Sequence, residues 1–180
     1  MQERSVDGSA LDLMDEASRI LGELVGRRCV AAWLGHGDVL FLDIGDEVPP
    51  APEPGEPRPR APVSLATNYA AWSIDGPVRG TWTDSEAAAE SAQLQAAAES
   101  LVGERIVGWQ LRDRLALRVE FSRNKVLTVQ PWPTSDGVSD AWCLSSIDKR
   151  ILAASNDGRM VVVDEGLPIR DWFREGGAGS

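Results

Sequence analysis

The side chains that could move a proton or hold a metal ion are few in this 180-residue chain. The single histidine, His36, lies in a Gly-His-Gly-Asp segment typical of a turn, whereas a Ser-His-Asp or Cys-His hydrolase needs an imidazole to transfer the proton. A zinc site needs about four Cys, His or carboxylate ligands, and Cys29 and Cys143 are distant in the sequence. Phosphate-binding glycine loops of the GxxxxGK[ST] or GxGxxG type do not occur.

The sequence therefore favours a non-enzymatic protein without a metal or cofactor. A carboxylate-based enzyme stays the weaker alternative, since spacing cannot show two acids facing each other in a cleft.

Carboxylates are plentiful, and their excess lies in one half of the chain. Residues 1–100 carry 17 Asp and Glu against 7 Arg, whereas residues 101–180 carry 11 groups of each sign, so the net charge of −10 belongs to the first half. Such a charge repels nucleic acid and anionic membranes and suits a basic protein partner. Simple hydration of the surface is the alternative interpretation. The candidate partner-binding acids lie on the first predicted helix and at a strand end: Asp12, Asp15, Glu16, Glu23, Asp43, Asp46 and Glu47.

Seven tryptophans against one tyrosine indicate a second possible binding chemistry. Exposed tryptophan stacks on sugar rings and supplies hot spots at protein interfaces. Trp132 lies in the loop segment QPWPTSDG, and several arginines follow Trp109. The alternative site, for a small molecule or carbohydrate, therefore comprises Trp109, Trp132, Arg114 and Arg118. Packing of the tryptophans over a sheet edge and solvation of the arginines are the competing interpretations.

A sequence element that occurs twice positions these groups. Residues 24–44 (LVGRRCVAAWLGHGDVLFLDI) and 101–121 (LVGERIVGWQLRDRLALRVEF) align without a gap at an offset of 77, mostly through apolar and turn positions. A repeat of fixed period decides the architecture of a chain. A predicted amphipathic helix precedes each copy and stops at Gly26 or Gly103, which fits a left-handed C-terminal cap.

Strands follow each helix. LALRVEF alternates apolar and polar residues, and VLTVQ returns after the turn SRNK as its hairpin partner. VLFLDI is the corresponding strand of the first copy, where a proline-rich loop, residues 46–62, replaces the short turn before VSLA returns. Trp72 and Trp142 mark a further equivalent pair of strands and are predicted to be core residues.

The predicted fold class is α+β, with an internally duplicated unit of one helix and antiparallel strands that forms a pseudo-twofold sheet with two helices on one face. Residues 1–180 are predicted to form a single pseudo-symmetric domain, because a unit of about 75 residues with one helix has little core of its own. The predicted divisions are repeat one at 8–83 with its loop 46–62, repeat two at 84–164, and a tail at 165–180.

The order LVG, L-x-L-x-V/F, a turn, L-x-V-x-P and a downstream Ala-Trp resembles small uncharacterised bacterial proteins built of duplicated α+β modules. LVGERIVGWQL, LALRVEF, VLTVQP and DAWCLS carry the resemblance, which covers most of the second copy and part of the first. It implies an α+β fold and the company of toxin-neutralising immunity proteins, which are often small, acidic and non-catalytic. It supplies no site motif, so no residue's role is carried over.

The leading hypothesis is a non-enzymatic, cytoplasmic protein-binding module, of the immunity type that inhibits a basic partner. No apolar run of the sequence is long enough to span a bilayer, and the start MQERSVDG lacks an apolar signal core. We expect any site to lie where the two copies differ, since their shared residues serve the fold.

Overall fold

The computed structural model describes residues 8–47, 61–76, 88–133, 137–169 and 172–173. Within these ranges the chain forms two α-helices, α1 (Gly8–Gly22) and α2 (Ala88–Glu99), and ten β-strands. The strands are β1 (Arg28–Leu34), β2 (Leu40–Gly45), β3 (Val63–Thr67), β4 (Ala70–Ile74), β5 (Ile106–Leu111), β6 (Leu117–Phe121), β7 (Val126–Pro131), β8 (Asp140–Ser145), β9 (Arg150–Ser155) and β10 (Met160–Asp164). The α+β class and the antiparallel pairing are confirmed.

The strands lie in two sheets, so the prediction of a single sheet is wrong. Sheet A has six strands in the order β1-β2-β3-β8-β9-β10, and sheet B has four in the order β4-β7-β6-β5. Strand β4 leaves the hairpin that precedes it and pairs with β7, while β8 crosses in the other direction and pairs with β3. Alternation shows which face of a strand is apolar, and each apolar face must be covered. It does not show which hairpin a strand will join.

One hydrophobic cluster joins the inner faces of both sheets with both helical segments. Trp72 and Trp142 are 2% and 0% exposed, which confirms their prediction as core residues. Trp72 of sheet B donates its indole N–H to the carbonyl oxygen of Asp38 at 2.8 Å, in the turn between β1 and β2. Trp142 of sheet A donates to that of Leu115 at 2.8 Å, in the turn between β5 and β6. Each tryptophan therefore forms a hydrogen bond from its own sheet to a hairpin turn of the other sheet.

The helices contact the two outer strands of sheet A, α1 at β10 and α2 at β1. The side-chain oxygen of Gln95 in α2 accepts a hydrogen bond from the backbone N–H of Leu34 at 3.0 Å, which satisfies a donor on the free edge of β1. No helix among the described residues is both long and apolar enough to cross a membrane.

Two glycines end the helical segments as the sequence predicts. Gly26 and Gly103 have φ of 89° and 85°, the left-handed region that favours glycine. The helices themselves end earlier, at Gly22 and Glu99, and a further turn leads to each glycine. The reciprocal backbone bonds between the halves are Gly26 N to Ile106 O at 2.9 Å and Gly103 N to Cys29 O at 2.8 Å.

The proline-rich loop connects β2 to β3, which pair antiparallel on either side of it as predicted. Its residues 48–60 lie outside the described ranges. Of the tail, Trp172 is buried at 6% exposure, whereas Ile169 is exposed. The backbone carbonyl of Phe173 accepts from the Arg159 guanidinium at 3.0 Å, which ties this part of the tail to the body.

Candidate binding groove

The seven predicted partner-binding acids differ in exposure. Asp12 and Asp15 are exposed on α1, Glu16 and Glu23 are half-buried on the same helical segment, Asp43 is buried in β2, and Asp46 and Glu47 are exposed just after β2. Their common role as a contact surface stays a prediction. The less exposed acids lie in two different surroundings. Glu16 and Glu23 belong to a salt-bridge cluster, and Asp43 lies in a groove.

The salt-bridge cluster is centred on Arg19. Its guanidinium binds Glu16 at 3.0 Å, Glu23 at 2.9 Å and Asp148 at 2.8 Å. Glu23 also accepts the backbone N–H of Ile147 at 3.1 Å. The hydrogen bond from Arg19 lowers the pKa of Glu16. These acids therefore hold α1 against the β8–β9 turn, and Arg19 offsets part of their charge.

The alternative ligand residues are spread over sheet B. Trp109 on β5 is half-buried and packs on the core. Trp132 is 55% exposed beyond the end of β7, and β6 separates β5 from β7. Arg118 is paired with Glu120 at 3.0 Å, and Arg114 lies exposed in the turn between β5 and β6. The structure does not bring these two tryptophans together.

A groove of about 870 Å³ crosses the outer face of sheet A. On β2 the buried residues Leu40, Leu42 and Ile44 face the core, so Phe41 and Asp43 face the groove. The residues that line the groove include Trp33, Phe41, Asp43, Pro62, Ser64, Cys143, Ser145, Ile147, Lys149, Ile151 and Glu165. Strands β1, β2, β3, β8 and β9 contribute most of them, whereas Pro62, Ile147, Lys149 and Glu165 lie just outside the strands. At about 4.8 Å per strand the groove is roughly 19 Å long, which accommodates about five or six extended residues.

A stacked aromatic pair forms one end of the groove. Trp33 and Phe41 are direct partners in the β1–β2 ladder, with ring centroids 5.3 Å apart and planes inclined by 10°. Gly35 makes this arrangement possible, because a Cβ there would lie only 2.7 Å from Cε2 of Phe41. The ring therefore lies directly against the backbone of the turn, which fixes its position.

Polar groups follow the aromatic pair along the groove. Asp43 is 8% exposed and is the ladder partner of Ser64. The hydroxyl oxygens of Ser64 and Ser145 lie 3.0 Å apart, and the backbone N–H of Ser64 donates to the Ser145 hydroxyl at 2.9 Å. Beyond β3 and β8, Glu165 donates its backbone N–H to the carbonyl of Lys149 at 2.9 Å. The groove thus combines an aromatic end, a central carboxylate and hydroxyls, and an end with charges of both signs.

The thiols and the histidine show no sign of reactive chemistry. Cys29 and Cys143 are free thiols, and Cys143 lines the groove. Burial raises the pKa of each thiol to about 12, with smaller contributions from the charges of Asp43 and Asp140. Both thiols are therefore protonated at neutral pH, and a thiolate is the form that reacts. His36 begins the short turn between β1 and β2. No group of three or more His, Cys, Asp or Glu within the described ranges could hold a metal ion.

The corresponding face of sheet B is polar. The pairs at an offset of 77 are Trp33 and Gln110, Phe41 and Arg118, and Asp43 and Glu120. They occupy matching register positions, because Trp33 pairs with Phe41 as Gln110 pairs with Arg118. The acid is present in both sheets, whereas the aromatic pair is present only in sheet A. The groove is therefore lined by residues at which the two copies differ.

The site residues predicted from the sequence did not include Trp33, Phe41, Ser64 or Ser145. The signal was present in the sequence. A comparison of the two copies at outward-facing positions alone shows an aromatic pair replacing a polar pair. An alignment of residues 24–44 with 101–121 over all positions does not reveal this difference, because most of its matches are shared apolar residues.

Comparison of the chain with protein-family models, curated proteins and solved structures gives no match. The resemblance to duplicated bacterial modules gains neither support nor contradiction from these comparisons. A function is therefore argued from the chemistry of the groove.

Proposed function

We propose that this protein is a non-enzymatic binding module whose groove on sheet A receives a short, extended, basic segment of a partner protein. The observation that carries the proposal is the Trp33–Phe41 stack beside the Asp43 carboxylate on one face of the sheet. Aromatic side chains provide apolar contact area with little loss of side-chain entropy, and they attract cations to their faces.

The surrounding charge supports a basic partner. Asp46 and Glu47 are exposed directly after β2, the strand that carries Phe41 and Asp43, and Arg27 offsets the charge of Asp46 at 3.4 Å. Asp12 and Asp15 add to the negative field, whereas Glu16 and Glu23 are engaged by Arg19. Such a field speeds the encounter with a basic protein more than it strengthens the complex. An immunity-type inhibitor that covers the working surface of a basic partner is the specific form of this function that the resemblance suggests.

A small-molecule or carbohydrate ligand is the second candidate, and it would use the same groove. A volume of about 870 Å³ lies within the usual range of ligand sites. Trp33 could stack on a sugar ring, and the hydroxyls of Ser64 and Ser145 could bind its hydroxyl groups. The tryptophans predicted for this role, Trp109 and Trp132, are less suited, since they lie apart.

We also propose that the chain arose by duplication and that its halves are related by a pseudo-twofold axis near Arg28 and Arg105. The reciprocal bonds of Gly26 and Gly103 support it, and so do the exchanged strands β4 and β8. Under this proposal the shared residues serve folding, and the groove of sheet A is where the copies diverged.

A double variant, Trp33→Gln with Phe41→Arg, tests the binding function because it installs the residues that sheet B already carries. Calorimetry would compare basic peptides, acidic peptides and oligosaccharides against the wild-type protein and this groove variant. We expect salt-sensitive binding of basic peptides that the groove variant loses while its thermal unfolding stays cooperative. The matched control, Asp12→Asn with Asp15→Asn, should keep the binding. Equal binding by the groove variant would contradict the proposed site, and binding of sugars alone would favour the second candidate.

A further inference from the structure

We infer that a second copy of this chain docks on the free edge of sheet B, with β5 of one molecule paired antiparallel to β5 of the other. This contact is independent of the groove, because it uses the other sheet. Strand β5 lacks the cover that its counterpart β1 has, and its residues complement one another about a twofold axis.

The edges of the two sheets differ in what covers them. Strand β1 carries α2 on its free edge, where the Gln95 side chain accepts the backbone N–H of Leu34 at 3.0 Å. At the matching position of β5, the N–H of Leu111 points away from β6, because Arg112 donates to Ala116 in the hairpin and successive N–H groups point to opposite sides. Within the part of the chain that the structure describes, no side chain takes the place of Gln95 there. This N–H is therefore open to pairing with another chain.

The side chains of β5 show the same difference in cover. Val107 is 55% exposed, whereas Val30, its counterpart at an offset of 77, is 7% exposed. Trp109 and Leu111 pack against the core and stay half-buried at the edge. The strand carries no charged side chain, and charge is the usual protection of an open edge. A bulge at Val107 limits the regular edge to residues 108–111.

A twofold axis beside Gln110 pairs this segment with itself and leaves the bulge outside. Trp109 then lies opposite Leu111 of the second copy, and each such pair exchanges both of its backbone hydrogen bonds, because both N–H groups point outward. The two Gln110 side chains lie opposite each other on the outer face, where amide groups donate and accept. Trp109 and Leu111 meet on the inner face, so the apolar layer continues from one copy to the other.

Charge complementarity supports the same register. Arg112 is exposed and extended, donates to the neutral amide of Gln110 at 3.1 Å, and would lie opposite Gly108 of the second copy. A Cβ at Gly108 would lie 3.6 Å from Oε2 of Glu120, so this carboxylate lies beside the space that the glycine leaves. Arg118 already binds Glu120 through Oε1 at 3.0 Å, and Arg112 of the second copy would bind Oε2 as a further donor. The twofold axis repeats the contact, so each copy supplies one arginine and one carboxylate.

Sedimentation of the full-length protein from about 10 µM to about 1 mM, a range that suits weak association, tests for the dimer. We expect a reversible monomer–dimer equilibrium that Gln110→Lys abolishes, because two ammonium groups would then lie opposite each other at the twofold axis. The matched control, Gln130→Lys, changes an exposed glutamine on β7 of the same sheet and should dimerise like the wild-type protein. A dimer that Gln110→Lys leaves intact would overturn the inference. So would a wild-type protein that stays monomeric, which would leave the edge to an extended segment of a different protein.

Disulfide trapping tests the register. Gln110→Cys places one thiol from each copy in a directly opposed pair without backbone hydrogen bonds, whose Cα separation of about 4.5 Å permits a disulfide. We expect mild oxidation to give a covalent dimer of Gln110→Cys and not of Gln130→Cys, which lies away from the edge. Equal cross-linking of the two variants, or none of Gln110→Cys, would contradict the pairing.

Amide hydrogen exchange of the wild-type protein provides a test that needs no variant. The N–H groups of Trp109 and Leu111 should exchange more slowly as the protein concentration rises. The N–H of Leu34, which Gln95 already binds, should exchange at the same rate at every concentration. Unchanged exchange at Trp109 and Leu111 over the same concentration range would refute the inference.

Discussion

Arg28 and Arg105 face each other across an isolated antiparallel bridge, and each side chain reaches into the other half of the chain. Arg28 donates from Nη1 to the carbonyl of Gly103 at 2.9 Å, and Arg105 donates to the carbonyl of Gly26. The carbonyl that ends each helical segment is therefore capped by an arginine from the opposite copy. These glycines and arginines are among the positions at which residues 24–44 and 101–121 agree.

Replacement of Arg28 by methionine should lower the free energy of unfolding by about 1 to 2 kcal/mol, because a partly buried, charge-assisted hydrogen bond is lost and the Gly103 carbonyl loses its donor. Methionine retains much of the aliphatic packing. Arg105→Met should cost less, since Arg105 is exposed. Urea unfolding monitored by circular dichroism would measure both changes. An unchanged midpoint for Arg28→Met would show that the cap contributes nothing to stability.

The two left-handed glycines give a second stability prediction. Gly26→Ala and Gly103→Ala should each destabilise the protein by about 1 to 2 kcal/mol, since an L-residue with this backbone conformation brings its Cβ close to the following carbonyl oxygen. No atom within 4 Å would oppose the new Cβ at either position, so the cost is conformational alone. Gly22→Ala is the matched control, since its Cβ would also meet nothing and its φ is not left-handed. Thermal unfolding should show losses for Gly26 and Gly103 and none for Gly22.

Much of the fold could be predicted because local patterns determine it. The alternation in LALRVEF and the alignment of VLFLDI with it correctly indicated strands, and the shared glycines correctly indicated left-handed turns. The division into two sheets could not be predicted, because β4 and β8 choose partners that are distant in sequence. That choice depends on how apolar faces cover one another, and alternation carries no information about it.

The candidate site was less predictable for a related reason. A count of acids shows that charge is present and does not show which arginine will bind it, as Arg19 does for Glu16 and Glu23. The groove required knowing which side of β2 faces away from the core. Only then do Phe41 and Asp43 become neighbours with a shared surface.

Gly35→Ala should weaken groove binding without replacing any groove-lining side chain. The backbone of Gly35 is not left-handed, so alanine is allowed there, but its Cβ would lie 2.7 Å from Cε2 of Phe41 and force the ring to move. We expect the affinity for the basic peptides that bind the wild-type groove to fall severalfold while the unfolding temperature changes little, because the ring end can give way on a half-exposed face. Calorimetry and thermal unfolding of the same samples would separate the two effects. Undiminished affinity would show that the stacked arrangement is not needed.

Acid should loosen the attachment of α1. The hydrogen bond from Arg19 lowers the pKa of Glu16 from its ordinary value of 4.5, and the hydrogen bond from the Ser146 hydroxyl lowers the pKa of Asp148 from 3.8. A carboxyl with a lowered pKa binds fewer protons in the folded state than in the unfolded state. Its contribution to the free energy of unfolding is therefore complete above the unfolded-state pKa and is lost as pH falls through the folded-state pKa. Stability should therefore decline below about pH 4.5, and Asp148→Asn should make the decline shallower. Urea titrations of the wild-type protein and of Asp148→Asn at a series of pH values would measure the decline, and equal slopes for the two proteins would contradict this expectation.

Alkali should destabilise the protein through its two thiols. Burial raises the pKa of Cys29 and of Cys143 from 9.0 to about 12, so the folded protein keeps protons that the unfolded chain releases. The contribution of the thiols to the free energy of unfolding is therefore complete below their unfolded-state pKa of about 9. It is lost as pH rises from there toward their folded-state pKa. Cys143→Ala should flatten the loss of stability above pH 9, because one of the two linked protons is removed.

The same burial predicts slow labelling by a thiol reagent at neutral pH, followed by rapid labelling of both cysteines in denaturant. Fast labelling of Cys143 in the folded protein would contradict a raised pKa for this thiol.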